Sequence, residues 1–304
     1  MPRPPKTKIN PRRPARYQGP AGPLGCHVGI GGGVDRAPQR ARDLGATAMQ
    51  IFTRSPRMWA APPLDEPTGA RFRHEVERHG IRAVVAHGIY LVNLGSRDEA
   101  LWAKSIATVV DEIQRCAVLG IDGLVLHPGS AGEASPRDGL ARILAALKKI
   151  IARTPDAPVR LLLENTAGTG ANLGHDFAHL AWLIEHHPYH ERFGVCLDTA
   201  HALAAGYPLH EPGGVTRTLD ELDRLVGLER LGCVHLNDSL VAHAGRRDRH
   251  ARIGQGELGE TAFAELLADE RLFNIPKILE VPGGDQAFID DLRLLAKLAR
   301  RAVK

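Results

Sequence analysis

The chain has no apolar run near the ~20 residues that a membrane-spanning helix needs, and its Pro- and Arg-rich start lacks an apolar stretch of the secretory type. A cytoplasmic protein without a membrane partner is expected. Cysteine is scarce. Cys26, Cys116, Cys196 and Cys233 form no close-spaced pair, which argues against a disulfide framework or a cysteine-type zinc knot and points to reduced core thiols. Lysine is also sparse. Lys6 and Lys8 lie in the first segment, Lys104, Lys148, Lys149 and Lys297 fall within expected helices, and Lys304 is the last residue, so only Lys277 adjoins an expected strand. Chemistry through a lysine imine is disfavoured, because it needs an amine in a desolvated pocket that can reach the substrate. Acids are absent from residues 1–25, which hold six Lys or Arg, so the formal charge of +4 becomes −2 once that segment is set aside. The basic excess is a property of the tail and no evidence that the body is a general polyanion binder.

Residues 1–24 carry seven prolines and almost nothing to bury. They are expected to form a disordered or extended tail that adds non-specific phosphate affinity or merely solubility. Residues 25–304 read as one catalytic domain of barrel size. Short apolar runs at 25–30, 46–52, 83–86, 123–126, 159–163, 193–197, 233–236 and 277–281 alternate with helical stretches near 34–44, 66–79, 98–119, 137–153, 174–186, 214–230, 258–268 and 285–300. Eight alternations without a break in composition predict an α/β fold, a (β/α)8 TIM barrel rather than a doubly wound sheet.

The residues that follow these runs carry the chemistry. His87 follows the third run, His127 the fourth, Glu164 the fifth and Asp198 the sixth, with His201 three residues on; His235 and Glu280 end the last two. In a barrel such positions project at the carboxyl-terminal rim and converge on the axis. The segment 231–259 adds Asp248 and His250, which face one spot along an extended chain, in the company of Asn237, Asp238, His243 and four arginines. Any one of these histidines reads equally well as a hydrogen-bonded core residue. The set does not, because several buried carboxylates need neutralising cations. Five histidines and four carboxylates suit three Zn2+ ions with one bridging carboxylate, and the histidine share favours zinc over magnesium, with Mn2+ as a partial replacement. The charge of three such ions exceeds that of four carboxylates, which implies an anionic substrate and makes a phosphate ester the natural candidate.

His87 with Tyr90-Leu91-Val92-Asn93-Leu94-Gly95, His127-Pro128-Gly129-Ser130 and Glu164-Asn165-Thr166-Ala167-Gly168 together resemble the endonuclease IV family of apurinic/apyrimidinic endonucleases. So do Asp198-Thr199-Ala200-His201, His235-Leu236-Asn237-Asp238 and Asp248-Arg249-His250 with Gly254-Gln255-Gly256, and the resemblance runs from Cys26 to Glu280. It implies that His87 and His127 hold a first zinc ion, that Glu164 bridges it to a second completed by Asp198, His235 and Glu280, and that His201, Asp248 and His250 hold a third. It further implies hydrolysis of the phosphodiester 5′ to an abasic site in double-stranded DNA, in base excision repair, with Glu164 as the catalytic carboxylate and hydroxide at the metals as nucleophile. The products would be a 3′-hydroxyl and a 5′-deoxyribose phosphate, and blocked 3′ ends would also be trimmed. Arg57, Tyr90, Leu91 and Arg249 are the implied DNA contacts, and no obligate protein partner is implied. Gly29, Gly31, Gly32 and Gly33 after the His27-Val28 pair, Met58 and Gly88 depart from the family pattern without removing an implied ligand. Two rivals remain at this stage. One is a sugar isomerase or epimerase on a related barrel, which needs only one or two metals, and the other is a binding module that works through its tail.

Overall fold

Each apolar run becomes a strand whose two faces meet different surroundings, helices outside and a shared lumen inside. The computed structural model describes residues 21–302. Among them, β1 (Leu24–His27), β2 (Ala48–Phe52), β3 (Ala83–His87), β4 (Gly123–Leu126), β5 (Arg160–Glu164), β6 (Phe193–Asp198), β7 (Leu231–His235) and β8 (Lys277–Leu279) close into a barrel of parallel strands in sequence order, β8 pairing with β1. The (β/α)8 barrel read from the sequence is the fold. Around it lie α1 (Ala37–Asp43), α2 (Glu66–Arg78), α3 (Glu99–Leu119), α4 (Pro136–Arg153), α5 (Phe177–Glu185), α6 (Thr199–Ala205), α7 (Gly214–Leu225), α8 (Gly259–Ala268) and α9 (Gly284–Ala302). The ends of these helices follow local chemistry. For α3, the Asp98 carboxylate accepts the N–H groups of Ala100 and Leu101, and Gly120 closes the other end with φ 72°.

Three features differ from expectation. The run 25–30 stops being a strand at His27, where the glycine-rich stretch takes over. α6 is an additional helix, too short to show periodicity, that starts at the residue after β6. The expected tail, 1–24, falls outside the described residues up to residue 20, and from there the chain already belongs to the barrel. Ala21 and Leu24 are buried and the Pro23 carbonyl accepts the Lys277 N–H at 2.9 Å, which seats the segment on β8.

Strand alternation builds the lumen in layers. Ala48, Val85, Val125, Leu162, Cys196, Cys233 and Ile278 form an apolar layer, one residue from each of β2 to β8. Two residues further along each strand, where the next inward side chain must lie, stand Gln50, His87, His127, Glu164, Asp198, His235 and Glu280. His27 holds the corresponding place two residues after Gly25 on β1. The site is thus one polar tier at the strand ends, resting on a dry tier beneath it. The two thiols of that lower tier, Cys196 and Cys233, are paired in register and buried, and all four cysteines are free.

Candidate metal centre

Glu164 sits at the centre of the polar tier with no solvent exposure. Its Oε2 lies 3.1 Å from His87 Nε2 and 3.1 Å from His127 Nε2, and its Oε1 lies 3.1 Å from His235 Nδ1 and 3.3 Å from His201 Nδ1. His235 Nδ1 is also 3.3 Å from Glu280 Oε2 and 3.8 Å from Asp198 Oδ2. His87, His127 and Glu164 form one group of potential metal donors, and Glu164, Asp198, His235 and Glu280 a second, the donor atoms in each lying within 4.8 Å of one another. Glu164 is the member common to both.

The third group is assembled by local structure rather than by strand ends. Asp198 caps α6, its Oδ1 accepting the His201 N–H at 2.8 Å, and the first turn of that helix therefore brings His201 beside the carboxylate that caps it. Asp198 Oδ2 is left facing the cluster, where it accepts from Asn237 Nδ2 at 2.7 Å. His250 arrives on a short antiparallel ribbon, His250–Ala251 against Asp238–Ser239. Asp198, His201 and His250 draw together within 4.8 Å, and Asp248 closes the set from the open side, with Oδ2 at 3.1 Å from His201 Nε2 and Oδ1 at 3.4 Å from His250 Nε2. All nine residues singled out in the sequence thus converge. Asp198 approaches the third group as well as the second, which spacing along the chain did not show.

Asp238 and His243, from the same sequence segment, do not join them. Asp238 is buried and takes up the N–H groups of Ser239, Gly254, Gly256 and Leu258 at 2.8–3.1 Å, so its carboxylate folds the segment's return path. Gly256 passes so close that a Cβ there would stand 2.5 Å from Asp238 Oδ1. His243 lies at the surface beside His210, bonded to the Gly206 carbonyl. Of the four arginines, Arg252 is tied to Asp291 at 2.7 Å, leaving Arg246, Arg247 and Arg249 exposed.

The electrostatics are those of a cluster built for cations. Burial alone would depress the imidazoles of His87, His201 and His235, but the carboxylates around them raise all three, the last two well above their usual 6.5. Burial would likewise raise Glu164 and Glu280, yet the facing imidazoles hold both well below 4.5. Without metal, His87, His201 and His235 are thus held towards the imidazolium form beside the carboxylates of Glu164 and Glu280. The Nε2 atoms of His201 and His250, though close to carboxylate oxygens, make no hydrogen bond. Unbonded ring nitrogens beside carboxylates, in a set of mixed N and O donors, fit borderline divalent ions.

A pH prediction follows with a definite sign. Raised imidazoles stabilise the metal-free fold fully below their unfolded value of 6.5 and lose that contribution as pH rises through their folded values. Depressed carboxylates contribute above 4.5 and lose it as pH falls through their folded values. Chelated protein should therefore be most stable between these limits and its Tm should fall towards pH 9, while metal-loaded protein should lose Tm on acidification as protons compete for the imidazoles. Thermal melts of both forms across pH check this.

Above the tier opens a cleft of about 370 Å³ lined by His87, Tyr90, His127, His201, Asp248, Arg249, His250, Glu280, Val281 and Pro282. Two of the four implied DNA contacts, Tyr90 and Arg249, are on its wall. Tyr90 is 68% exposed and braced edge-on against Phe52, Leu91 beside it is half-buried, and Arg57 and Met58 are exposed on the neighbouring loop. Arg54, three residues before Arg57, is buried. Its guanidinium bonds Asp111 at 2.8 Å and the Trp59 carbonyl. The next residue of α3, Glu112, accepts the Ile89 N–H at 3.1 Å, and burial pushes its carboxyl up to about 7. One turn of α3 thus holds both rim loops. Gly88 fits under this arrangement because a Cβ there would come within 2.9 Å of Leu126.

Sequence reading missed two members of the tier, His27 and Gln50. The signal was available in β2, where Gln50 is a lone polar residue at an inward position between Ala48 and Phe52.

A family model described as a xylose isomerase-like TIM barrel matches residues 38–298. A protein of Chloroflexus aurantiacus called probable endonuclease 4 is 45% identical over 281 residues, covering 92% of this chain and 99% of that one. The crystal structure of endonuclease IV from Thermus thermophilus superposes with a TM-score of 0.82 at 40% identity, covering 92% of this chain and 99% of the other. A D-tagatose 3-epimerase-like protein superposes with a TM-score of 0.71 at 17% identity, over 92% and 98% of the two chains, a likeness of fold alone.

Proposed function

The chain belongs to the endonuclease IV family, and from that premise we propose that it hydrolyses the phosphodiester 5′ to an abasic site in duplex DNA, using zinc held by the polar tier. The observation that carries this is Glu164, shared between two groups of potential metal donors, with a third group alongside. His87, His127 and Glu164 would hold one ion, Glu164, Asp198, His235 and Glu280 a second, and His201, Asp248 and His250, with Asp198 near, a third. Bound there, zinc supplies Lewis acidity, lowering the pKa of water and neutralising charge on the phosphate.

The chain's own residues do the rest. The tier lies inside the barrel mouth, so a phosphate in a stacked duplex cannot reach it unless the DNA bends and the nucleotide turns out. Tyr90 and Leu91 enter the gap from the minor-groove side, Arg57 supports the same edge, and Arg249 on the cleft wall meets backbone phosphate. A nucleotide without a base unstacks at low cost, which favours abasic sites. Water adds to phosphorus, the P–O3′ bond breaks and the 3′ oxygen takes up a proton, leaving a 3′-hydroxyl and a 5′-deoxyribose phosphate. The same cleft accommodates a blocked 3′ end, and the reaction belongs to DNA base excision repair in the cytoplasm. Of the described residues, no helix is long and apolar enough to cross a membrane.

An epimerase reading is less well supported, because sugar chemistry of that kind needs one or two metals and leaves the His201, Asp248 and His250 group without a task. The test is incubation of purified protein with a duplex bearing one abasic-site analogue, before and after chelation and after zinc is restored. Incision that disappears with the metal and returns with it is expected at about three zinc ions per chain. An intact duplex at full zinc occupancy would overturn the proposal.

The wedge has its own test. Tyr90→Ala with Leu91→Ala should weaken binding to abasic duplex about tenfold or more and binding to intact duplex much less, since only bent, unstacked DNA meets the wedge. Equal losses on the two DNAs, measured by titration at one salt concentration, would return these residues to rim packing.

A further inference from the structure

Six of the eight positions in the polar tier are accounted for by the proposed metal ligands. His27 and Gln50 are not. Gln50 has no solvent exposure, and its amide touches two of those ligands at once. Nε2 donates to Glu280 Oε1 at 2.6 Å, and Oε1 lies 2.8 Å from His235 Nε2. The amide orientation is set by the carboxylate, because turning it over would place two oxygens against each other at hydrogen-bond distance. With its oxygen towards His235, Gln50 can only accept. His235 Nε2 must therefore carry a proton, and the lone pair of the neutral imidazole falls on Nδ1, the atom that faces Glu164, Glu280 and Asp198. The same amide nitrogen is 3.0 Å from His27 Nδ1, and the His27 ring packs tilted against Phe52 with centroids 4.4 Å apart, so β1 and β2 together fix the amide in place.

We infer that Gln50 is a positioning residue for the second metal: it imposes the Nδ1-ligating tautomer on His235 and holds the Glu280 carboxylate turned towards the same ion. The inference rests on the metal reading above and adds a residue to it. An imidazole orients poorly without a partner on its far nitrogen, and removing such a partner commonly weakens metal affinity about 10–100-fold. Gln50→Met keeps length and approximate volume in the lumen while deleting all three polar contacts of the amide, so the packing of the tier is little disturbed.

Zinc is the probe. In competition with a chromophoric chelator, Gln50→Met should release one of the zinc ions about 10–100-fold more readily than wild type, the others being held as before. Tm of the metal-free form should fall modestly, because His235 Nε2–H loses its acceptor; a purely structural role would lower it without releasing one ion selectively. A second measurement needs no variant: nitrogen-15 spectra of zinc-loaded wild-type protein, with histidine labelled, should show His235 protonated on Nε2 and ligating through Nδ1. Unaltered zinc affinity in Gln50→Met, or a proton on Nδ1 of His235 in the loaded protein, would overturn the inference while leaving the metal centre standing. Wild-type protein that binds no zinc would overturn both.

Discussion

Glu164→Ala is expected to lower incision of an abasic duplex by more than about 10³-fold, beyond the roughly 10–100-fold typical of residues that only orient a ligand. The reason is geometric. Four imidazoles, those of His87, His127, His201 and His235, lie within 3.3 Å of its two oxygens, so one truncation removes the common partner of all of them. Two cations facing each other with less charge between them would bind less tightly, and zinc per chain should fall. The barrel itself should persist when metal-free, because alanine leaves no buried charge behind and the imidazoles can become neutral. Metal analysis, circular dichroism and single-turnover cleavage together check this. Full zinc occupancy with undiminished cleavage would contradict the assignment of Glu164 as the bridge.

Asp238→Ala is the second large effect, through folding rather than through charge on the substrate. The Asp238 carboxylate receives four backbone N–H groups, from Ser239, Gly254, Gly256 and Leu258. A buried donor left without an acceptor costs about 1–3 kcal/mol, so losing several should destabilise the protein by at least about 3 kcal/mol unless the segment opens to water. Opening would release the ribbon that carries His250 and, two residues earlier, Asp248. Zinc content should then drop by one ion and incision should fall about 100-fold or more. Asp238→Asn keeps an acceptor oxygen and should recover part of the stability. Near-wild-type melting and full zinc content in Asp238→Ala would show that the loop does not hang on this carboxylate.

These two carboxylates also mark how far the sequence could be read. Glu164 was legible because it ends an apolar run, and six ligand-type residues at successive run ends specify a tier once the runs are taken as barrel strands. Asp238 was set apart from Asp248 by the alternation of Asp248 with His250, but its own task was not legible, since only the fold shows that backbone N–H groups surround it. His201 was found as a motif residue, but the helix that carries it was not, because seven residues are too few for a helical period. Gln50 was overlooked because a polar residue inside an apolar run draws attention only when the lumen tiers are lined up. Lys277, the one lysine beside an expected strand, begins β8 at the end away from the site. Burial does lower its amine to about 8, the kind of shift that imine chemistry uses, but Nζ is spent on the carbonyls of Leu272 at 2.7 Å and Ile275 at 3.1 Å, at the base of the barrel.

That contrast between lysine and metal chemistry gives the most direct test of hydrolysis 5′ to the abasic site. The reaction is run on a duplex with one abasic site, with and without borohydride, and both the protein and the DNA ends are examined. Hydrolysis at the Glu164 tier yields an extendable 3′-hydroxyl, a 5′-deoxyribose phosphate and no covalent adduct in borohydride. A trapped protein–DNA adduct, or a 3′ unsaturated aldehyde in place of the 3′-hydroxyl, would contradict it.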